Sequence, residues 1–499
     1  MLKSWRPLLV LLFAALLAAG CHGITATPPA PKLKITETSF GKTQGIIRDN
    51  LAVSPDSKRV AYAYWAMLGQ KFLVVIDGVE GKEYDYAWIP AFSADSKRVA
   101  YAAKHGEKQL VVVDDVEGKE YDDVWGPPIF SPDSKHVAYH AKRNGKWVAV
   151  IDGVDGKEYD GIGTPIFSSD SQRVAYVALH GEKRFMVIDG VEGKDYDRAG
   201  GLVFSPDSKR VGYVAKRGDK QLAVVDGVEG KEYDSIGFDH IAFSPDSKRV
   251  AYVARRGEQW FVVIDGAEGK KYDNMGRDMP IFSTDSQRVA YAAMRGNKGL
   301  VVVDGVEGKE YDGMDMRDIV FSPDSQRVAY VAKQGNKGLV VVNGVEGKEY
   351  EWPGDISFSP DSKRIAYRAW HGKKEFLVVD GAEGKEYDCI EELTFSADSK
   401  HFAYAAWRER KVLLVVDGAE GTEYGWVAEP TFSPDSKHIA YGARRGVPGN
   451  WLVVVDGVES KEYDEFLRGS HLVFDSPTRL HTLAMRDGEV FLVEIEITE

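Results

Sequence analysis

The chain has 499 residues, 43 % hydrophobic and 28 % charged, enough to bury sizeable cores and unlike a disordered or membrane-embedded protein. Its 64 lysines and arginines against 77 aspartates and glutamates give a net charge of −13, a poor match to nucleic-acid binding. Two cysteines exclude a disulfide scaffold and a cysteine-rich zinc site.

Lys3 and Arg6 precede an apolar run from Leu8 to Gly20, too short to span a bilayer comfortably. Small residues Ala18, Ala19 and Gly20 then lead into Cys21, so residues 1–20 read as a secretory signal. The run Leu17-Ala18-Ala19-Gly20-Cys21 resembles the lipobox of bacterial lipoproteins, with its leucine one place further from the cysteine than usual. The resemblance implies cleavage before Cys21, acylation of its thiol and a lipid-anchored place in the bacterial envelope. His22 after the cysteine implies the outer membrane and periplasm in a Gram-negative cell. Residues 21–34 then form a proline-rich tether. Cys389 is left as a lone thiol with no neighbouring motif that would activate it.

From residue 35 the chain repeats. Ser-x-Asp-Ser begins at Ser54, Ser93, Ser131, Ser168, Ser205, Ser244, Ser283, Ser322, Ser359, Ser396 and Ser433, in steps of 37 to 39. A second motif near DGVEGKEYD follows each, and a degraded twelfth unit contains Phe474-Asp475-Ser476-Pro477. Within Leu202–Ile236, LVFS, RVGYVAK, QLAVVDG and KEYDSI read as four short strands. They are separated by a Ser-Pro-Asp-Ser turn and by glycine-containing loops. Four strands per unit, repeated, predict the blades of an all-β propeller. The recurring Phe204-Ser205-Pro206-Asp207-Ser208-Lys209 resembles the WD-repeat-like blades of TolB-type propellers, over nearly all of the chain after the tether. That resemblance implies the fold and says little of function.

Twelve units allow two six-bladed propellers in tandem, residues 35–270 and 271–499, or one twelve-bladed ring. The usual range of blade numbers favours six plus six. The last unit ends after its third strand, and Lys34–Phe40 has the character of the missing outer one. The loops between second and third strands carry excess positive charge and the DGVEGKEYD segments excess negative charge. This predicts a basic face opposite an acidic outer rim, able to steer an acidic protein patch, an anionic glycan or a lipid headgroup.

The variable stretches are the links into each first strand. Trp88, Trp125, Trp352 and Trp426 lie there, with Trp65, Trp370 and Trp407 in or beside neighbouring loops, and half of the tryptophans are expected to plug between blades. Asp239, His240, Arg277, Asp278, Asp315 and Arg317 concentrate charge in the links of units six to eight. No metal spacing, nucleophile elbow or phosphate loop is present, so neither a cofactor, a metal site nor catalytic residues are predicted. The sequence therefore predicts a non-enzymatic, envelope-anchored scaffold that docks a protein through Trp88, Trp125, Trp352, Trp426, His240, Arg277 and Arg317. The alternative is a carbohydrate-binding or lyase/hydrolase propeller, with its site at the channel mouth and a glycan or small molecule as ligand.

Overall fold

The computed structural model describes residues 31–43, 51–66, 71–237, 240–276, 279–312, 318–446 and 448–498. They form twelve antiparallel sheets and no α-helix. Blade 5 is representative: Arg198–Phe204, Val211–Arg217, Lys220–Val225 and Val228–Tyr233 run from the channel to the periphery. In five blades the innermost strand is split, as Ser235–Ile236 and Ala242–Phe243 both pair with Val250–Arg256. The Ser-x-Asp-Ser and Asp-Gly turns share one face, called lower. The hairpins between second and third strands share the upper face with the links to the next blade.

The repeated turns are explained by what their side chains hold. Ser205 Oγ donates to Asp207 and accepts from the Arg210 amide, closing the turn upon itself. Ser208 sits at φ 64°, a conformation that favours glycine. The serine is useful there because its hydroxyl accepts the Asp170 amide of the preceding blade at 2.9 Å. Asp226 and Gly227, at φ 52° and 77°, make the tight turn between the third and fourth strands. Asp226 accepts from the Val211 amide and from Arg210, whose guanidinium lies over Phe243 of the next blade. Each motif thus ties one blade to the next, which accounts for its recurrence without any chemistry.

Twelve apolar clusters hold the blades together, one at each junction. Val253, Val262 and Tyr272 of blade 6 pack on Val289 and Tyr291 of blade 7, so nothing separates the halves at residue 270. Val60, Tyr62 and Val75 of blade 1 pack on Leu467, Leu483 and Val490 of blade 12. The six-plus-six arrangement favoured by blade-number habit gives way to a single ring of twelve. The even repeat spacing makes every junction alike, so no pair of blades has a reason to part.

The ring is closed by its N-terminal strand. Lys32–Lys42 pairs antiparallel with Glu489–Thr498 as the outermost strand of blade 12, the place expected for Lys34–Phe40. Glu37 of this strand takes the role that a blade's own glutamate plays elsewhere. In blade 6, Glu268 accepts from Tyr233 of blade 5; at the closure, Glu37 accepts from Tyr463 of blade 11 at 2.8 Å.

One expectation needs correction. The charged segments do not form opposite faces, because the acidic segment runs the full height of each blade beside the basic groups. Its first aspartate meets the lower-face arginine, as in Asp226–Arg210, and its glutamate meets the end of the second strand, as in Glu229–Arg217. Its last aspartate meets the upper-face lysine, as in Lys108–Asp122 at 2.6 Å. The phenylalanine that precedes Ser-x-Asp-Ser in ten of the eleven units is partly buried: Phe204 lies beneath Arg173, whose guanidinium is 5.5 Å from its ring centroid. Phe204→Ala is therefore expected to cost about 2–3 kcal/mol, below the range for fully buried aromatics. An unchanged urea midpoint would contradict the packing of this strand.

Candidate functional site

The upper face and channel wall hold the residues that depart from the repeat. Trp125 of blade 3 is 69 % exposed, and Trp65, Tyr86, Ile89 and Trp352 lie between 42 % and 48 %. The rings form two groups across blades 1 to 3. Trp65 meets Phe72 at 5.1 Å, Phe72 meets Tyr86 at 4.7 Å, and Tyr86 meets Trp88 at 4.7 Å. Trp125 meets Trp147 at 6.3 Å and His140 at 6.1 Å. Trp88 and Trp125 differ in what covers them, not in register. Both face the same rung of their blade's second strand, but Trp88 packs on the apolar cluster between blades 2 and 3 while Trp125 stands open. His140 beneath Trp125 is buried, its Nε2 has no hydrogen-bond partner, and burial lowers the pKa of its imidazole.

Of the four tryptophans singled out in the links, Trp125 and Trp352 are exposed. Trp88 and Trp426 are half-buried, the latter edge-on to Trp407 at 5.2 Å. His240 is exposed on the channel wall of blade 6. Asp239, Arg277, Asp278, Asp315 and Arg317 lie outside the described residues, as does Cys21. Cys389 is a half-buried free thiol whose pKa is raised first by burial and then by Glu375 and Glu391.

The structure also gathers a group that the sequence reading passed over. Asp318, Asp355, Glu392 and Glu429 each stand four residues before their blade's Ser-x-Asp-Ser, on the channel wall of four successive blades. Their step of 37 residues is visible in the sequence, within links that otherwise diverge. Asp318, Asp355, Glu391 and Glu392 line a cleft of about 590 Å³ with Arg368. Arg368 pairs with Asp355 and donates to the Ile390 carbonyl at 2.6 Å. Glu392 accepts the Glu429 amide at 2.7 Å, and Glu429 reaches His471 of blade 12 at 3.1 Å. Desolvation, then the nearby carboxylates of Glu429 and Glu391, raise the pKa of Glu392. Among the described residues no group of three or more histidines, cysteines or carboxylates is placed to hold a metal ion.

No family model and no curated protein matches the chain. Among solved structures it is similar to a eukaryotic initiation factor, at 12 % identity and TM-score 0.34, over 61 % of this chain and 87 % of that one. It is similar to TolB from Acinetobacter baumannii, at 18 % identity and TM-score 0.23, over 52 % and 77 %. It is also similar to the β-propeller domain of the Trilobed protease from Pyrococcus furiosus, at 15 % identity and TM-score 0.25, over 50 % and 92 %.

Proposed function

We propose that the chain is a non-enzymatic scaffold, lipid-anchored at Cys21 in the bacterial envelope, that docks a protein partner on its upper face. One observation carries the reading: exposed aromatics span blades 1 to 3 of that face, whereas the closing strand begins at the lower face, with Lys32 beside Thr498. Ten residues separate Cys21 from Lys32, a reach of at most about 40 Å when extended. An acylated Cys21 then keeps the lower face toward the membrane and leaves Trp125 and its neighbours pointing away from it. Rigid aromatic side chains on a loop-rich face are the usual material of interface hot spots.

In-cell crosslinking with affinity capture tests this. The anchored protein is compared with Trp125→Ala alone and with a variant carrying alanine at Trp88, Trp125, Trp352 and Trp426. A discrete partner of the parent, reduced at least tenfold in both variants, is the expected result. Trp125 is open to solvent, so its single variant keeps the parent's thermal midpoint. Cys21→Ala is expected to release the protein into the soluble fraction. A partner retained by both variants, or none at all, contradicts the docking reading. The weight then passes to carbohydrate binding or hydrolysis, which the acidic cleft around Glu392 favours.

A further inference from the structure

The carboxylate that closes the DGVEGKEYD segment on the upper face is lost at one place. In most blades an aspartate ends the DGVEGKEYD segment and does two jobs. It pairs with the lysine that opens its blade's third strand, as Asp388 does with Lys374 at 2.6 Å. It also accepts an amide of the next blade's hairpin, as Asp197 does from Gly218 at 2.7 Å. At the junction of blades 10 and 11 that residue is Gly425. A Cβ there would lie 2.5 Å from the Gly446 carbonyl oxygen, so the blade 11 hairpin has closed onto the space of the missing side chain.

The loss leaves a cleft of about 800 Å³ with unbalanced charge, lined by Trp407, Trp426, Arg410, Lys411, Arg444 and Arg445. Lys411 turns to Glu423 at 3.1 Å, and Arg445 is held by Glu462 and Glu459. Arg410 and Arg444 have no carboxylate partner among the described residues. The Arg444 guanidinium stacks over Trp451 at 5.6 Å, and its buried Nε has no hydrogen-bond partner. Arg410 sits at φ 76° after Glu409 at φ 51°, in a two-residue turn whose second place is Gly145 in blade 3 and Gly488 in blade 12. A long side chain in that conformation costs stability, a cost that function commonly explains. Trp407 and Trp426 meet at 80°, so their rings form an angled corner beside these two cations.

We propose that this cleft binds a carboxylate-bearing saccharide, a uronic acid. Its apolar ring face would pack on the tryptophan corner, with its carboxylate on Arg410 and Arg444. The site shares Trp426 with the docking variant, whereas Arg410 and Arg444 belong to it alone, so Arg410→Gly tests it apart from protein docking. Calorimetric titration of the full protein with digalacturonate tests it, with cellobiose and inorganic phosphate as comparisons. Digalacturonate is expected to bind at least tenfold more tightly than either. Arg410→Gly is expected to weaken it at least tenfold while the thermal midpoint holds or rises, because glycine relieves the turn. Absence of digalacturonate binding, equal binding of phosphate or cellobiose, or full affinity in Arg410→Gly overturns the proposal.

Discussion

Replacing Glu37 by alanine is expected to destabilise the ring by about 2–3 kcal/mol at neutral pH, more than any single surface ion pair is worth. Three donors from two blades converge on this carboxylate. Tyr463 donates at 2.8 Å, Lys461 lies at 2.7 Å, and Arg486 donates through both of its terminal nitrogens at 2.8 and 3.0 Å. Burial alone would raise the carboxyl pKa; the bonds from Arg486, Lys461 and Tyr463 outweigh it and bring the pKa down to about 2. The folded value lies below that of an unfolded chain. The contribution is therefore complete above roughly pH 4.5 and is lost as pH falls toward about 2. Urea midpoints of the parent and Glu37→Ala should accordingly differ most at pH 7 and converge near pH 2.5. A gap of the same size at both pH values would mean that the ion cluster does not secure the closure.

Tyr233→Ala is expected to cost about 4 kcal/mol and Tyr233→Phe about 1 kcal/mol. The ring is buried, 6.3 Å from Tyr252 and 5.7 Å from Phe261 of the following blade, while the hydroxyl adds one bond to Glu268. Repeats stabilise mainly through nearest-neighbour interfaces. Hydrogen exchange should therefore quicken in blades 5 and 6 and be nearly unchanged in blade 11. Uniform quickening around the ring would contradict the junction-by-junction packing.

Much of this architecture was legible because the chain states its plan many times. The spacing of Ser-x-Asp-Ser fixes the blades, and the strand character of Lys34–Phe40 anticipates the closure at Lys32–Lys42. The number of rings was not legible, since a junction such as Val253 with Tyr291 has the same composition whether or not a propeller ends there. Pairing between neighbouring strands of one blade also hid the charge balance. A count along the chain sees the lysines and the aspartates but not that Lys108 lies on Asp122. The departures carry the functional signal: Gly425 where aspartate is the rule, Arg410 where a glycine would turn the chain, and the acidic step from Asp318 to Glu429. Their meaning lay in which neighbours each one loses or gains, and only the folded ring supplies that.

The twelve blades form one ring, closed between the N-terminal strand and blade 12. Electron microscopy of the purified protein tests it most directly. Top-view averages with twelve radial blades around a single wide channel are expected. Two smaller six-bladed discs, or an open arc with blade 1 apart from blade 12, would contradict it.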